Sequence, residues 1–147
     1  MSSGGKIRDA IKQAVAARKG ARAWSFDVPK GWEHEAEDTL DTFFDPDGAG
    51  ALQFSSITKS SGDVTDADLV ESIEDMKLAD LPRAAAAFGP FTGFALSKAH
   101  ADGQFGQYWF LRAGTLLLFA TYFCEKQDVG KETRAVTKAL ASLRISS

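Results

Sequence analysis

The sequence predicts an α+β fold, a three-layer α/β/α sandwich in which a central, mainly antiparallel sheet of about six strands is flanked by helices on both faces. Three observations lead to this prediction. Runs rich in aromatic residues and threonine are separated by turn residues, helical patterns stand before, between and after those runs, and the run from Thr115 to Cys124 is apolar on both of its alternating faces. A strand of that last kind needs apolar cover on two sides.

The first predicted element is a short amphipathic helix from Lys6 to about Ala21. Small and aliphatic side chains recur there at helical spacing, opposite the basic side chains of Lys12 and Lys19. We therefore divide the chain into an N-terminal amphipathic helix in residues 1–22 and a single domain in residues 23–147, a length that suits one hydrophobic core. The start of the chain shows no uninterrupted apolar run, no lipobox cysteine and no glycine for myristoylation, which favours a cytoplasmic location.

Strands are predicted through the first half of the domain. Residues 24–28 alternate large apolar and polar side chains before a proline ends the run, and Trp32 opens a second, acidic extended stretch. Residues 39–44 lead into an Asp-Pro-Asp-Gly sequence, which favours a turn, and residues 51–59 resume the alternation as the hairpin partner.

A helix is predicted from about Asp66 to Leu78. Apolar residues recur there at helical spacing, and Thr65 and Asp68 are placed as a capping pair at its start. Asp80 is predicted to cap a further short helical turn through the four alanines at 84–87, which a Gly-Pro pair then stops.

The last third of the chain contains the best-defined strands. Phe91 to His100 alternates as a strand, and the two apolar runs between Gln104 and Glu125 form a hairpin in which Gly114 supplies the positive φ of the turn. A closing amphipathic helix is predicted between Val129 and Leu143.

Charge is distributed unevenly along the chain. Residues 1–30 carry seven basic and two acidic side chains, residues 31–80 two basic and fourteen acidic, and residues 81–147 eight basic and four acidic. The acidic middle third repels nucleic acid and attracts a basic partner, although a solvated face that keeps the protein soluble is the simpler interpretation. The longest apolar run is about half the length of a membrane-spanning helix, so we expect no transmembrane segment.

No residue pattern predicts a catalytic, cofactor-binding or metal site. Glu33, His34 and Glu35 form the only local group of metal-ligating types, and strand alternation puts the histidine on the face opposite the two carboxylates. The thiol of Cys124 stands in an apolar strand beside Glu125, which favours a buried, unreactive cysteine.

A competing hypothesis is a small-ligand-binding protein or an enzyme. It requires an enclosed pocket with convergent polar groups near Cys124, His100 or Arg112. We expect instead no enzyme, no metal and no cofactor.

Several short segments resemble Mog/PsbP-like domains. Phe26-Asp-Val-Pro-Lys-Gly-Trp32 resembles their opening strand with its Pro and Gly-Trp, and residues 43–47 and 52–57 resemble the next two strands. The strand that ends in Thr-Tyr, the polar break after it and the helix that ends in Ala141-Ser142-Leu143-Arg144 are also similar to theirs. The superfamily includes DcrB-like proteins and chaperones of type VI secretion effectors. The resemblance implies an α/β/α sandwich and a mostly non-catalytic binding module, and it assigns no functional residue.

These observations predict a non-enzymatic protein-interaction module of bacterial type, monomeric or homodimeric, that binds another protein through an acidic face and binds neither nucleic acid nor membrane. A chaperone associated with type VI secretion and a toxin-immunity protein are narrower alternatives. Trp32 is the aromatic residue that we expect to be most exposed. The predicted partner-binding residues are Trp32, Glu33, Glu35, Glu37, Asp38, Asp41, Asp45 and Asp47.

Overall fold

The computed structural model describes residues 23–37 and 39–146, of which 46% are in strands and 18% in helices. The predicted helix in residues 1–22 lies outside the described residues, as does Asp38, one of the predicted partner-binding residues. The described elements are β1 (Trp24–Ser25), β2 (Glu33–Glu37), β3 (Leu40–Phe44), β4 (Gly50–Thr58), α1 (Asp66–Asp75), β5 (Ala84–Phe88), β6 (Phe91–Ala99), β7 (Gln104–Ala113), β8 (Leu116–Glu125), a 3-10 helix (Lys126–Asp128), α2 (Thr133–Ala141) and β9 (Arg144–Ile145).

Seven strands form one antiparallel sheet in the order β2-β3-β4-β8-β7-β6-β5, with β8 at its centre. β7 and β8 make the predicted hairpin, and Gly114 has the expected positive φ, 59°. β1 and β9 pair separately as a two-stranded sheet, in which Trp24 lies opposite Ile145.

The predicted three-layer α/β/α sandwich is wrong. The described part of the chain contains two α-helices, of ten and nine residues, against a sheet of seven strands. Each helix packs on one face of the sheet, and within residues 23–37 and 39–146 neither is accompanied by a second helix that would complete a layer. Much of the cover comes instead from the chain around β1, where Trp24 and Phe26 pack on the same core as α2.

The predicted helical turn at residues 84–87 is also wrong, because these alanines form β5. β5 pairs antiparallel with β6, from Ala84 opposite Ala95 to Phe88 opposite Phe91, and Gly89 turns the chain between them with a φ of 59°. Alanine prefers a helix by less than about 1 kcal/mol per residue over most other residues, and pairing with β6 along the whole of β5 overrides that preference.

The start of α1 confirms the predicted capping pair. The Thr65 hydroxyl accepts a hydrogen bond from the Asp68 N–H at 3.2 Å, and the Asp68 carboxylate accepts one from the Thr65 N–H at 2.9 Å. Two hydrogen bonds hold the pKa of Asp68 below its ordinary value. The one from Lys59 has the larger effect, and the one from the Thr65 backbone has the smaller. The helix ends at Asp75, three residues before the predicted end, and Lys77 turns the chain away with a φ of 61°.

The two faces of the sheet are covered unequally. We call the side that carries α2 the packed face, and its core is almost fully buried. Its members come from α2, from both sheets and from the segment after β1: Trp24, Phe26, Phe43, Leu52, Phe54, Phe91, Trp109, Leu111, Ala113, Leu116, Leu118, Ala120, Tyr122, Cys124, Val136, Ala139, Leu140 and Leu143.

On the other side, α1 packs mainly over β6 and β7, where Leu69 and Ile73 meet Leu96, Tyr108 and Phe110. The strands β2, β3, β4 and β8 extend beyond it. We call their side chains on this side the open face: Glu33, Glu35, Glu37, Leu40, Thr42, Phe44, Ala51, Gln53, Ser55, Ile57, Leu117, Phe119, Thr121 and Phe123. Among the described residues, no helix is long and apolar enough to span a membrane.

Candidate protein-binding surface on the open face

Three of the predicted acidic residues lie together at the edge of the open face. Glu33, Glu35 and Glu37 alternate along β2, the end strand of the sheet, so strand geometry turns all three carboxylates to the same side. Glu33 and Glu35 are exposed and Glu37 is half-buried. Three neighbouring carboxylates give this edge a local negative potential. The residues of β3 beside them include no basic side chain to offset it.

Asp41 does not belong to this surface. It lies on the packed face, its exposed fraction is 0%, and its carboxylate is 2.9 Å from Nε2 of His34. The His34 ring in turn stacks on Phe43 with 4.3 Å between ring centroids. Asp41 therefore helps to hold β2 against β3, because a buried carboxylate requires a partner.

The other three predicted residues lie away from the open face. Trp32, expected to be the most exposed aromatic residue, is half-buried and packs against the core of the packed face. Asp45 and Asp47 belong to the turn between β3 and β4, where the Asp45 carboxylate accepts a hydrogen bond from the Asp47 N–H at 2.9 Å. Strand alternation thus divides the acidic stretch between two sides of the sheet.

Apolar residues that the sequence reasoning did not assign to a site complete the open face. Ile57 on β4 is 67% exposed, the largest value among the exposed large hydrophobic residues of the described chain. Leu117, Phe119 and Phe123 on β8 are half-buried, since the cluster under α1 covers them only in part. Part of the signal was present in the sequence, because the run from Thr115 to Cys124 is apolar on both of its faces. The sequence did not show which of the two faces would lack full cover.

A cleft of about 190 Å³ marks the place where α1 stops short of the sheet. Its walls come from the end of α1, including Met76, and from the open-face residues Ile57, Leu117 and Phe119. Met76 is 44% exposed and carries a flexible side chain that adapts to different partners. The cleft is large enough for a single apolar side chain.

Polar side chains cross the middle of the open face in a short chain of hydrogen bonds. The Gln53 amide donates to the Thr42 hydroxyl at 3.2 Å and accepts from the Thr121 hydroxyl at 3.5 Å. These contacts join β3, β4 and β8 without adding charge. They separate the acidic edge on β2 from the most exposed apolar residues near the end of β4.

The residues of the competing enzyme hypothesis do not converge. Cys124 is buried on the packed face, where burial raises its pKa and makes it a poor nucleophile. His100 is bonded to the Tyr108 hydroxyl at 2.7 Å on the side of α1. Arg112 makes an ion pair with Asp66, which lies in the first turn of α1, at 2.7 Å. Three groups on separate partners do not enclose one substrate.

Within residues 23–37 and 39–146, no group of three or more His, Cys, Asp or Glu side chains is placed to hold a metal ion. The pair formed by His34 and Asp41 supplies two side chains of ligand type, and the buried carboxylate points at the histidine. Two ligands fall short of the four that structural zinc sites use.

Comparison with known proteins shows the fold and no more. No family model matches the chain, and no curated protein matches it. A crystal structure from Bacteroides thetaiotaomicron VPI-5482 matches 84% of the chain with a TM-score of 0.62 and 15% sequence identity, and the chain spans 45% of that protein. LpqN of Mycobacterium tuberculosis, involved in cell envelope biogenesis, matches 84% of the chain with a TM-score of 0.59 and 14% identity, over 83% of its own length.

Proposed function

We propose that this chain is a non-enzymatic protein-binding module of the bacterial cytoplasm and that its partner docks on the open face. The observation that carries the proposal is the position of partly exposed apolar side chains on β4 and β8, on the same face of the sheet as the carboxylates of the edge strand β2. An apolar patch with a polar or charged rim is the usual anatomy of a protein-binding surface.

The chemistry of the open face defines the partner that fits it. Apolar side chains of the partner pack on Phe119 and Ile57, and one of them enters the cleft beside Met76. Basic side chains on the same partner face Glu33 and Glu35, which are exposed. Exposed charges of this kind contribute more to the rate of association and to specificity than to affinity.

Membership of the Mog/PsbP-like superfamily is part of this proposal and rests on the short sequence resemblances alone, since the structural neighbours show only a shared fold at low identity. An effector chaperone is the narrower form that the open face favours, since an amphipathic helix laid across β4 and β8 buries apolar side chains at helical spacing. A neighbouring gene for a secreted toxin or effector distinguishes this form from an unrelated adaptor.

The proposal is tested by capturing partners from cell lysate with the immobilised protein and eluting them at increasing salt. Replacing the three open-face carboxylates (Glu33→Gln, Glu35→Gln, Glu37→Gln) is expected to lower retention severalfold at low salt, because the steering charge is removed. A matched variant with three exposed acids near α1 neutralised (Glu71→Gln, Glu74→Gln, Asp80→Asn) keeps full retention.

The apolar half is tested separately with Ile57→Asp. Ile57 is 67% exposed, so the variant folds as the unmodified protein does, while the charge opposes apolar docking. A partner that the triple variant and Ile57→Asp both retain at the original level contradicts the proposal.

A further inference from the structure

A groove of about 800 Å³ lies on the other side of the molecule, between the loop that follows β1 and the outer surface of α2. Val28, Pro29 and Trp32 form its loop wall, and Ala135 and Ala139 form part of the helix wall. Val28 is 44% exposed and Trp32 is half-buried. The volume falls in the range of about 300–1,000 Å³ that small-molecule sites occupy.

Two acidic residues of the groove have partners within the fold. Asp27 makes an ion pair with Arg144 at 3.0 Å, which ties the loop to β9. Asp45 accepts the hydrogen bond from the Asp47 N–H that shapes its own turn. Neither carboxylate is left to repel an anion at full strength.

The third acidic residue, Glu132, joins three elements at the end of the groove. Its Oε1 accepts a hydrogen bond from the Gly50 N–H at 3.0 Å and another from the Tyr122 hydroxyl, and it stands at the N-cap position of α2. The carboxylate is therefore committed to the packing of α2 on β4 and β8.

The basic residues of the groove have no such partners. Lys30, Arg134 and Lys138 are exposed, and none of them makes an ion pair with any residue in the described part of the chain. Lys131 differs, because it is paired with Asp128 at 2.7 Å. Among the described residues, three groove cations without an ion-pair partner (Lys30, Arg134 and Lys138) stand against two groove carboxylates without one (Asp45 and Glu132), so the groove carries a small excess of positive charge.

We propose that this groove binds a small aromatic organic anion. The flat body of the ligand lies against Trp32 and Val28, and its acidic group lies between Arg134 and Lys138, with Lys30 on the opposite rim. The site is independent of the open face and has the opposite charge.

The test uses two fluorescent probes that differ by one sulfonate. 8-Anilinonaphthalene-1-sulfonate is titrated against the full chain beside its neutral analogue, N-phenyl-1-naphthylamine. We expect one sulfonated molecule to bind per chain, at least ten-fold more tightly than the neutral probe, with an affinity that falls as salt rises. If the unmodified protein binds the two probes with equal affinity, the proposal is overturned.

Variants then locate the bound probe. Arg134→Glu with Lys138→Glu is expected to weaken binding of the sulfonated probe at least ten-fold, whereas the matched double reversal Lys77→Glu with Lys126→Glu, at exposed residues outside the groove, leaves it unchanged. Ile57→Asp also leaves it unchanged. If the groove reversal has no effect, or if Ile57→Asp removes binding, the probe occupies the open face and the proposal fails.

Discussion

The packed face and the open face are built from the same strands yet differ in what covers them. On β8, Leu118 and Ala120 point into the packed face with no exposed surface, whereas their chain neighbours Leu117 and Phe119 point to the open face and are half-buried. The packed face is closed by α2 and the chain around β1, and the open face is covered in part by α1. One side of the sheet is therefore closed, and the other leaves apolar side chains at the surface, where we propose that a partner docks.

The sharpest test of this difference compares two adjacent leucines. Leu118→Ala is expected to lower the free energy of unfolding by about 3–4 kcal/mol, because it leaves a cavity in a closed core. Leu117→Ala is expected to lower it by about 1 kcal/mol, since water and α1 can fill the space beside an existing cleft. Urea denaturation of both variants measures the difference. Equal losses would mean that the two faces are equally closed.

The two tyrosines of the chain lie on opposite sides of the sheet, and we expect them to ionise at different alkaline pH values. Burial raises the pKa of Tyr108, and burial together with the hydrogen bond to Glu132 and its charge raises the pKa of Tyr122 much further. A group whose pKa is higher in the folded state stabilises the fold below its unfolded pKa, about 10 for tyrosine, and that contribution is lost as pH rises toward the folded value.

We therefore expect stability to fall above about pH 10 and Tyr122 to ionise only with unfolding. Absorbance of tyrosinate in a pH titration, with Tyr122→Phe as the matched variant, assigns each step. Ionisation of Tyr122 before Tyr108 in the folded protein would contradict the closed packing of that face.

The anchoring of α1 gives a smaller effect. Thr65→Ala removes the capping hydrogen bond and is expected to destabilise the domain by about 1 kcal/mol. Thr133→Ala at the start of α2 is the control, because α2 has no side-chain cap there, and it is expected to change stability by less than about 0.5 kcal/mol. Thermal unfolding followed by circular dichroism measures both. A larger loss at Thr133 would show that α2 depends on capping more than on its buried face.

The smallest expected effect is that of Glu35→Gln on stability. Glu35 is exposed on an edge strand between two other carboxylates, so neutralising it changes the free energy of unfolding by less than about 0.5 kcal/mol. Chemical denaturation checks this. A large change in either direction would place Glu35 in the fold rather than on a binding surface.

Local patterns in the sequence predicted the local structure well. The hairpin of β7 and β8 follows from two apolar runs around Gly114, and the capping pair of Thr65 and Asp68 follows from a three-residue spacing. Both depend on residues close together in the chain. The prediction of a helical turn at residues 84–87 was wrong because a partner strand, and not local preference, decided the conformation of these alanines.

The candidate surface was only partly predictable for a related reason. Alternation alone placed Glu33 and Glu35 on one side, but nothing in the sequence gave the number of helices on each face. The exposure of Ile57 and Phe119 depends on where α1 comes to rest across the sheet. The pairing of Asp41 with His34 depends on the register between β2 and β3, which a sequence shows only once the hairpin is fixed.

The pairing of β1 with β9 brings the two ends of the described chain side by side, with the Ser146 N–H donating to the Ala23 carbonyl at 2.9 Å. Residues 23 and 146 are thus about one strand spacing apart, roughly 5 Å. A domain whose ends lie this close together can be inserted into a surface loop of an unrelated host protein without forcing the two ends of that loop apart. A fluorescent host interrupted in this way would keep its own shape and display the open face, so that its signal would test the partner that we propose to dock there.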